Sequence, residues 1–345
     1  MRASLARALA NALVNPLPAS RHLSLVIGLL HRGRSHVLAH GQPATPQATP
    51  PGEWVYEIGS ITKLFTSALL AHGVVQGRER LEAPVPMLSA MSLKQPISLL
   101  QLATHTSGLP RLPSNLRITR RSAANPYARY RSSDLNEFVE RFKLRRWRPG
   151  QYAYSNLGMG VLGNHLADRL RVSYEDAVVT QLCLPLGMRD TRVTLTPGQK
   201  RRWVQGHCAR GRPVPAWDIP TLAGAGAFRS TVNDLLKFLA ANLARTRDPL
   251  SRALRLCQDP QHRLDRNQSV GLGWNISKRT GRQLLWHNGA TGGFNSFIGL
   301  LAEERLGVVV LANQGLSSRQ DQGRAPDLAT DLGVRLAREF LSHGR

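Results

Sequence analysis

The sequence predicts an α/β fold with an all-α portion inserted into it: one mixed sheet built from both chain ends, and a helical lobe between them. Three observations carry this. Strand-like apolar runs lie near both ends, as in LSLVIGLLHR at 23–32 and LGVVVLAN at 306–313. The middle, from about 76 to 264, carries apolar residues at helical spacing. The chain has 345 residues, more than the ~250–300 over which a single core keeps growing. The expected division is therefore 1–75 with 265–345 as one lobe, and 76–264 as the other.

Residues 1–20 have apolar positions spaced for one face of an amphipathic helix, broken by Arg7 and Asn11. Leu23–Arg32 reads as a buried strand, and Ser35–His40 as its hairpin partner across Gly33-Arg34. Gln42–Gly52, rich in Pro, Thr and Ala, reads as a loop. Ser60–Val75 is expected to be helical, stopped by Gly77. Further helices are expected at Ser132–Phe142, Leu157–Leu170, Tyr174–Leu184 (ended by Pro185) and Thr231–Leu243. Gln283–Gly289, Asn295–Leu301 and Leu306–Asn313 read as strands, and Asp327–Ser342 as a closing helix.

Composition removes several classes. Apolar residues at 42% and charged residues at 20% fit a folded chain, not a disordered one. Three cysteines (Cys183, Cys208, Cys257) form no CxxC pair, which argues against a disulfide framework or a cysteine zinc site. No HExxH, Walker A or EF-hand pattern is present, so neither metal nor cofactor is expected. No apolar run reaches the ~18 residues of a membrane span. Without a clean signal peptide, the expected location is the cytoplasm, with export left open.

Lys and Arg total 46 against 22 Asp and Glu, a net charge of +24. Such a surplus raises nucleic acid or another polyanion as a partner. Of the basic residues 40 are Arg and six Lys, so Arg-rich codon usage explains the number equally well. No nucleic-acid-binding motif accompanies the charge. Most of it sits in the middle segment, and Arg111–Arg148 alone holds 11 basic and three acidic groups. That stretch precedes Tyr154, which suggests a basic approach for anionic substrates.

Three short motifs could carry chemistry. The first is Ser60-Ile61-Thr62-Lys63 at a helix start. Spacing of three puts the amine one turn from the hydroxyl, on the same face. A serine hydroxyl needs a neighbour to take its proton, and a desolvated lysine can join that transfer. A lone match arises by chance about 0.4 times in such a chain, so the motif is weak alone. The second is Tyr154-Ser155-Asn156, whose first and third side chains project to one side in extended backbone. A phenol beside an ammonium can act as a base, and Asn156 can donate to and accept from an amide. Its bland reading is a capping turn, with Asn156 as N-cap. The third is Trp286–Phe294. There His287 and Gly289 share a strand face, His287 could hold a carboxylate or relay a proton, and the Ala290 N–H could complete an oxyanion hole.

Together, in this order, the motifs resemble the β-lactamase-like serine hydrolases, in the branch of class C β-lactamases, DD-peptidases and family VIII esterases. Further matching segments are Leu64-Phe65-Thr66, QLATHTSGLP at 101–110, QYAYSNLG at 151–158, PLGMRDT at 185–191, GAGAFRST at 224–231, GLGW at 271–274 and VVLAN at 309–313. The resemblance covers about 20–340. It implies an antiparallel sheet flanked by helices, an inserted helical lobe, and an active site between them. It implies Ser60 as the acylated nucleophile, Lys63 as its partner, and Tyr154 as the base for acylation and later for water. Asn156 would orient the substrate, and the Ser60 and Ala290 N–H groups would bind the oxyanion. One departure is His287-Asn288-Gly289 where many lactamases of this family carry Lys-Thr-Gly. A histidine gives a weaker, pH-dependent positive charge.

The function expected is therefore hydrolysis of an ester or amide through an acyl-enzyme on Ser60, of the esterase or D-Ala-D-Ala carboxypeptidase kind. The alternatives are a true class C-like β-lactamase and a non-catalytic polyanion-binding protein on the same fold. The partner expected is a small-molecule or peptide substrate, favoured by the charge if anionic. Nucleic acid is not the expected partner. His105 and Ser107 in the THTSG segment read as structural, and Trp217, Asp218 and the GAGAF stretch as cleft wall.

Overall fold

The computed structural model describes residues 23–41, 43, 49–91, 95–119, 122–141, 149–279, 281–317, 320 and 327–343. The amphipathic helix expected within 1–20 lies outside them, as does most of the loop expected at 42–52.

Eight strands form one antiparallel sheet in the order β2-β1-β10-β9-β8-β7-β6-β5. β1 (Leu25–His31) and β2 (Arg34–His40) come from the front of the chain. β5 (His262–Arg263), β6 (Gln268–Val270), β7 (Asn275–Arg279), β8 (Arg282–Ala290), β9 (Asn295–Leu301) and β10 (Leu306–Ala312) come from its end. The ends join where β1 pairs with β10, Leu25 opposite Ala312 and His31 opposite Leu306. β1, β9 and β10 are buried along their whole length. Both faces of the sheet are covered, so these strands read as continuous apolar runs with no polar alternation.

On one face, Leu25, Ile27, Leu29, Val308 and Val310 pack with Leu332, Leu336 and Phe340 of α9 (Leu328–His343). The other face opens into the main core, which runs without a break from Val26 and Val309 into the helices. These are α1 (Thr62–Val75), α2 (Leu99–Ala103), α3 (Ser132–Arg141), α4 (Asn156–Leu170), α5 (Tyr174–Val178), α6 (Pro197–Lys200), α7 (Val232–Leu243) and α8 (Pro249–Gln258). A two-stranded ribbon, β3 (Tyr56–Glu57) with β4 (Arg229–Ser230), leads into the first of them.

The helical middle is less separate than expected. α7 packs directly on β1 and β10 although it lies inside 76–264. Its amphipathic face, with Leu235, Leu236 and Leu239 buried, needs an apolar partner, and the sheet supplies one. Two sequence expectations shift at their ends. The helix expected at Ser60 begins as a 3₁₀ turn, Gly59–Ile61, before α1. The helix expected at 174–184 continues past α5 only as a wide turn, Val179–Cys183. Among the described residues no helix is long and apolar enough to cross a membrane.

Candidate active site

The turn Gly59-Ser60-Ile61 is pressed against β8 by two positions that have no room for a side chain. Gly59 has φ +48°, and a Cβ there would meet the Ala290 backbone N at 2.7 Å. A Cβ on Gly289 would meet the Ile58 carbonyl oxygen at 2.1 Å and the Ser60 N at 3.0 Å. Ser296 on β9 fixes the same turn by donating to the Ile58 carbonyl at 2.9 Å. Ser60 and Ala290 are thereby neighbours that both line the cleft, and an oxyanion hole needs two backbone N–H donors at such a place.

Lys63, one helical turn on, is fully buried. Its Nζ lies 2.9 Å from Ser60 Oγ, 2.8 Å from Asn156 Oδ1 and 2.6 Å from the Ala225 carbonyl. Desolvation, helped by the nearby Arg111 charge, holds the amine's pKa well below the ordinary lysine value.

Tyr154 stands on the other side of Ser60, within hydrogen-bonding reach of it, and desolvation pushes its phenol pKa up. Lys63 Nζ is 4.7 Å and Arg111 Cζ 5.1 Å from its ring centroid. The extended segment Tyr154-Ser155 and the first residue of α4, Asn156, lie on the segment His105–Arg111. The His105 carbonyl accepts from Ala153 N at 2.8 Å, and the Arg111 carbonyl accepts from Asn156 N at 2.9 Å. His105 Nδ1 accepts from Ser155 N at 3.2 Å, and its ring sits 4.6 Å from that of Tyr154. The cap of α4 is Ser155, whose Oγ accepts from Gly158 N at 2.9 Å. Asn156 is thus relieved of the capping role its position suggested. Its amide turns to Lys63 through Oδ1 and donates to the Tyr127 hydroxyl at 3.2 Å through Nδ2.

His287 does not stand where a carboxylate could reach it as a cation. It is 2% exposed and lies behind Tyr154, with ring centroids 6.4 Å apart. Burial above all lowers its pKa to about 3. Nδ1–H donates to the Asn288 carbonyl at 2.6 Å, which leaves the neutral ring with its lone pair on Nε2. The charge expected from the third motif is absent at neutral pH.

These groups open on a cleft of about 590 Å³ lined by Ser60, Tyr154, Asn156, Trp217, Ala290 and Arg111, among others. Trp217 belongs to the wall, as expected, and Asp218 does not. The Glu57 carboxylate, 3% exposed, pins that wall by accepting from Trp217 N at 2.6 Å. Arg229 donates to the Trp217 carbonyl at 2.8 Å. Sequence reasoning did not single out Arg111 or Tyr127. Arg111 directly follows the matching segment THTSGLP, and that adjacency was the available signal. Among the described residues no group of three or more His, Cys, Asp or Glu could hold a metal ion.

Comparison with known proteins identifies the family and the fold. The model of the family described as Beta-lactamase matches residues 10–331. The chain belongs to the beta-lactamase family. Within the family it is 25% identical over 338 residues to a Beta-lactamase of Escherichia coli K12, covering 84% of each chain. It is 27% identical over 293 residues to the D-alanyl-D-alanine-carboxypeptidase/endopeptidase AmpH of the same organism, covering 78% of this chain and 74% of that one. The beta-lactamase fold is shared with solved structures. One is a class C beta lactamase from Rhodobacter sphaeroides, with TM-score 0.77, 23% identity and 98% of each chain covered. Another is a Beta-Lactamase/D-Alanine Carboxypeptidase from Pseudomonas syringae, with TM-score 0.78, 21% identity and 99% of each chain covered.

Proposed function

We propose that this beta-lactamase-family serine hydrolase cleaves an ester or amide through an acyl-enzyme on Ser60, as an esterase or a carboxypeptidase of the D-Ala-D-Ala kind. The observation that carries it is the setting of Lys63. A neutral amine has two N–H donors and one lone pair. Two of its three neighbours, Asn156 Oδ1 and the Ala225 carbonyl, can only accept. The lone pair is left for the third, the Ser60 hydroxyl.

Acylation then follows. Ser60 Oγ attacks the substrate carbonyl carbon while its proton passes to Lys63 Nζ. The carbonyl oxygen takes the negative charge and accepts from the Ser60 and Ala290 N–H groups. As the bond to the leaving group breaks, the departing atom takes the proton of the Tyr154 hydroxyl, and Lys63 returns a proton to Tyr154. Water reverses these steps to release the acid. This assigns the first proton transfer to Lys63 and not, as the resemblance implied, to Tyr154. Burial disfavours both the lysine cation and the phenolate, which is the direction this proton route needs.

The peptidase or esterase reading draws on His287, which supplies no cation at the motif where many lactamases carry lysine. The names of the relatives include both beta-lactamase and carboxypeptidase. The test is intact mass after incubation with a small ester panel, a D-Ala-D-Ala peptide and a cephalosporin. A covalent acyl adduct that disappears in Ser60→Ala is expected, with ester or peptide turnover exceeding cephalosporin turnover. Identical behaviour of wild type and Ser60→Ala would sink the proposal.

A further inference from the structure

Arg111 is the only permanently charged side chain among the described residues that line the cleft. It is exposed, and no carboxylate among the described residues pairs with it. Its backbone is nonetheless fixed, because its carbonyl accepts from both Asn156 N and Leu157 N at the start of α4. The guanidinium lies over the Tyr154 ring, 5.1 Å from the centroid. A planar cation held against an aromatic face is pre-organised for a carboxylate, since little side-chain freedom remains to be lost on pairing.

We propose that Arg111 is the anion-binding residue of this cleft and that it reads the leaving group. The group it reads is the carboxylate of the departing half, which substrates of the D-Ala-D-Ala kind proposed above carry on the departing amine. The inference rests on the acyl-enzyme reading above. In that reading Tyr154 hands its proton to the leaving atom, so the group stacked on Tyr154 borders the departing half of the substrate. The acyl half stays on Ser60, beside Ala290. The third motif cannot supply the cation, because His287 is buried and neutral. Arg111 therefore contributes to acylation and has no contact left to make once the leaving group is gone.

Three substrates test this: phenyl phenylacetate, its 3-carboxyphenyl analogue, and monophenyl succinate, whose charge sits on the acyl half. The readout is the ratio of kcat/KM for each charged ester to that for the neutral one. In Arg111→Gln the 3-carboxyphenyl ratio is expected to fall about tenfold or more, as for a lost charge-assisted hydrogen bond. The succinate ratio should stay within about twofold of the wild-type ratio on the same scale. Arg111→Lys should recover part of the loss, because it keeps the charge and loses the fork. Equal falls for both charged esters would overturn the assignment in favour of a general field. An unchanged 3-carboxyphenyl ratio would overturn it outright while leaving the hydrolase reading intact. If wild type acylates with none of the three, the hydrolase reading itself fails.

Discussion

Asn156 and Lys63, 93 residues apart in sequence, meet at 2.8 Å through Oδ1 and Nζ. An amide oxygen cannot donate, so this contact, together with the Ala225 carbonyl, decides which way the protons of the amine point. In the proposed neutral form of the amine, these two acceptors take both N–H groups and leave the lone pair for Ser60.

The first consequence is a pH profile. Lys63 must be unprotonated to accept the Ser60 proton, so kcat/KM rises with pH through its pKa and then levels. Burial holds that pKa well below the ordinary value, so the plateau is expected at lower pH than for a free lysine at ~10.4. Lys63→Met should lower kcat/KM about 10²–10⁴-fold and remove the limb from the residual activity. Initial rates from pH 5 to 10 on an ester whose leaving group does not titrate there provide the check.

Tyr154 is assigned to the leaving group, and Tyr154→Phe tests that assignment through the substrate. Esters of alkyl alcohols need the proton and should lose about 10²–10⁴-fold in kcat/KM. Esters of 4-nitrophenol leave as stable anions and should lose much less. A uniform loss across both kinds would place Tyr154 in the attack step.

Gly289→Ala inserts a methyl 2.1 Å from the Ile58 carbonyl oxygen and 3.0 Å from Ser60 N. The turn must move off β8, which separates the two oxyanion donors. A fall of about 10²–10³-fold in kcat is expected, with about 1–3 kcal/mol lost in stability. Denaturant unfolding beside steady-state kinetics separates the two effects. A variant as unstable but fully active would contradict the oxyanion assignment.

His287 links stability to pH. Its folded pKa of about 3 lies below the ordinary histidine value near 6.5. Between those limits the unfolded chain binds the proton and the folded one does not. Its contribution is therefore complete above about pH 6.5 and is lost as pH falls toward 3, by about 1.4 kcal/mol per pH unit. His287→Gln should flatten the decline in unfolding free energy between pH 6 and 4 by about that slope. An unchanged slope would show that the imidazole is not held neutral.

The three motifs were legible because each depends on local spacing: i to i+3 for Ser60 and Lys63, i to i+2 for Tyr154 and Asn156. The long strands were legible because burial on both faces makes β1 and β10 unbroken apolar runs. The short strands β5, β6 and β7 escaped notice: His262-Arg263, QSV and NISKR are short, largely polar segments toward one end of the sheet, whose pairing is set by neighbours. α8 was missed although Asp248 caps it and Pro249 opens it. Its buried residues Leu250, Ala253, Leu254 and Cys257 recur at helical spacing, so the signal for it was present in the sequence. The environment of His287 could not be read at all, because burial by Tyr154 and Lys63 comes from segments over a hundred residues away. The basic approach inferred from Arg111–Arg148 is seen only in part. Arg111 reaches the cleft, whereas Arg120, Arg121 and residues 142–148 lie outside the described residues.

The nucleophile belongs to the first fifth of the chain, yet the strand against which its turn is pressed ends at Ala290, and β1 has β10 as one of its two neighbours. During synthesis Ser60 and Lys63 emerge early, while Gly289 and Ala290, against which their turn is pressed, arrive more than two hundred residues later. Such distant pairings close late and slowly. On the acyl-enzyme proposal, a chain that ends before β8 holds Ser60 and Lys63 but lacks the second oxyanion donor, and is expected to be inactive.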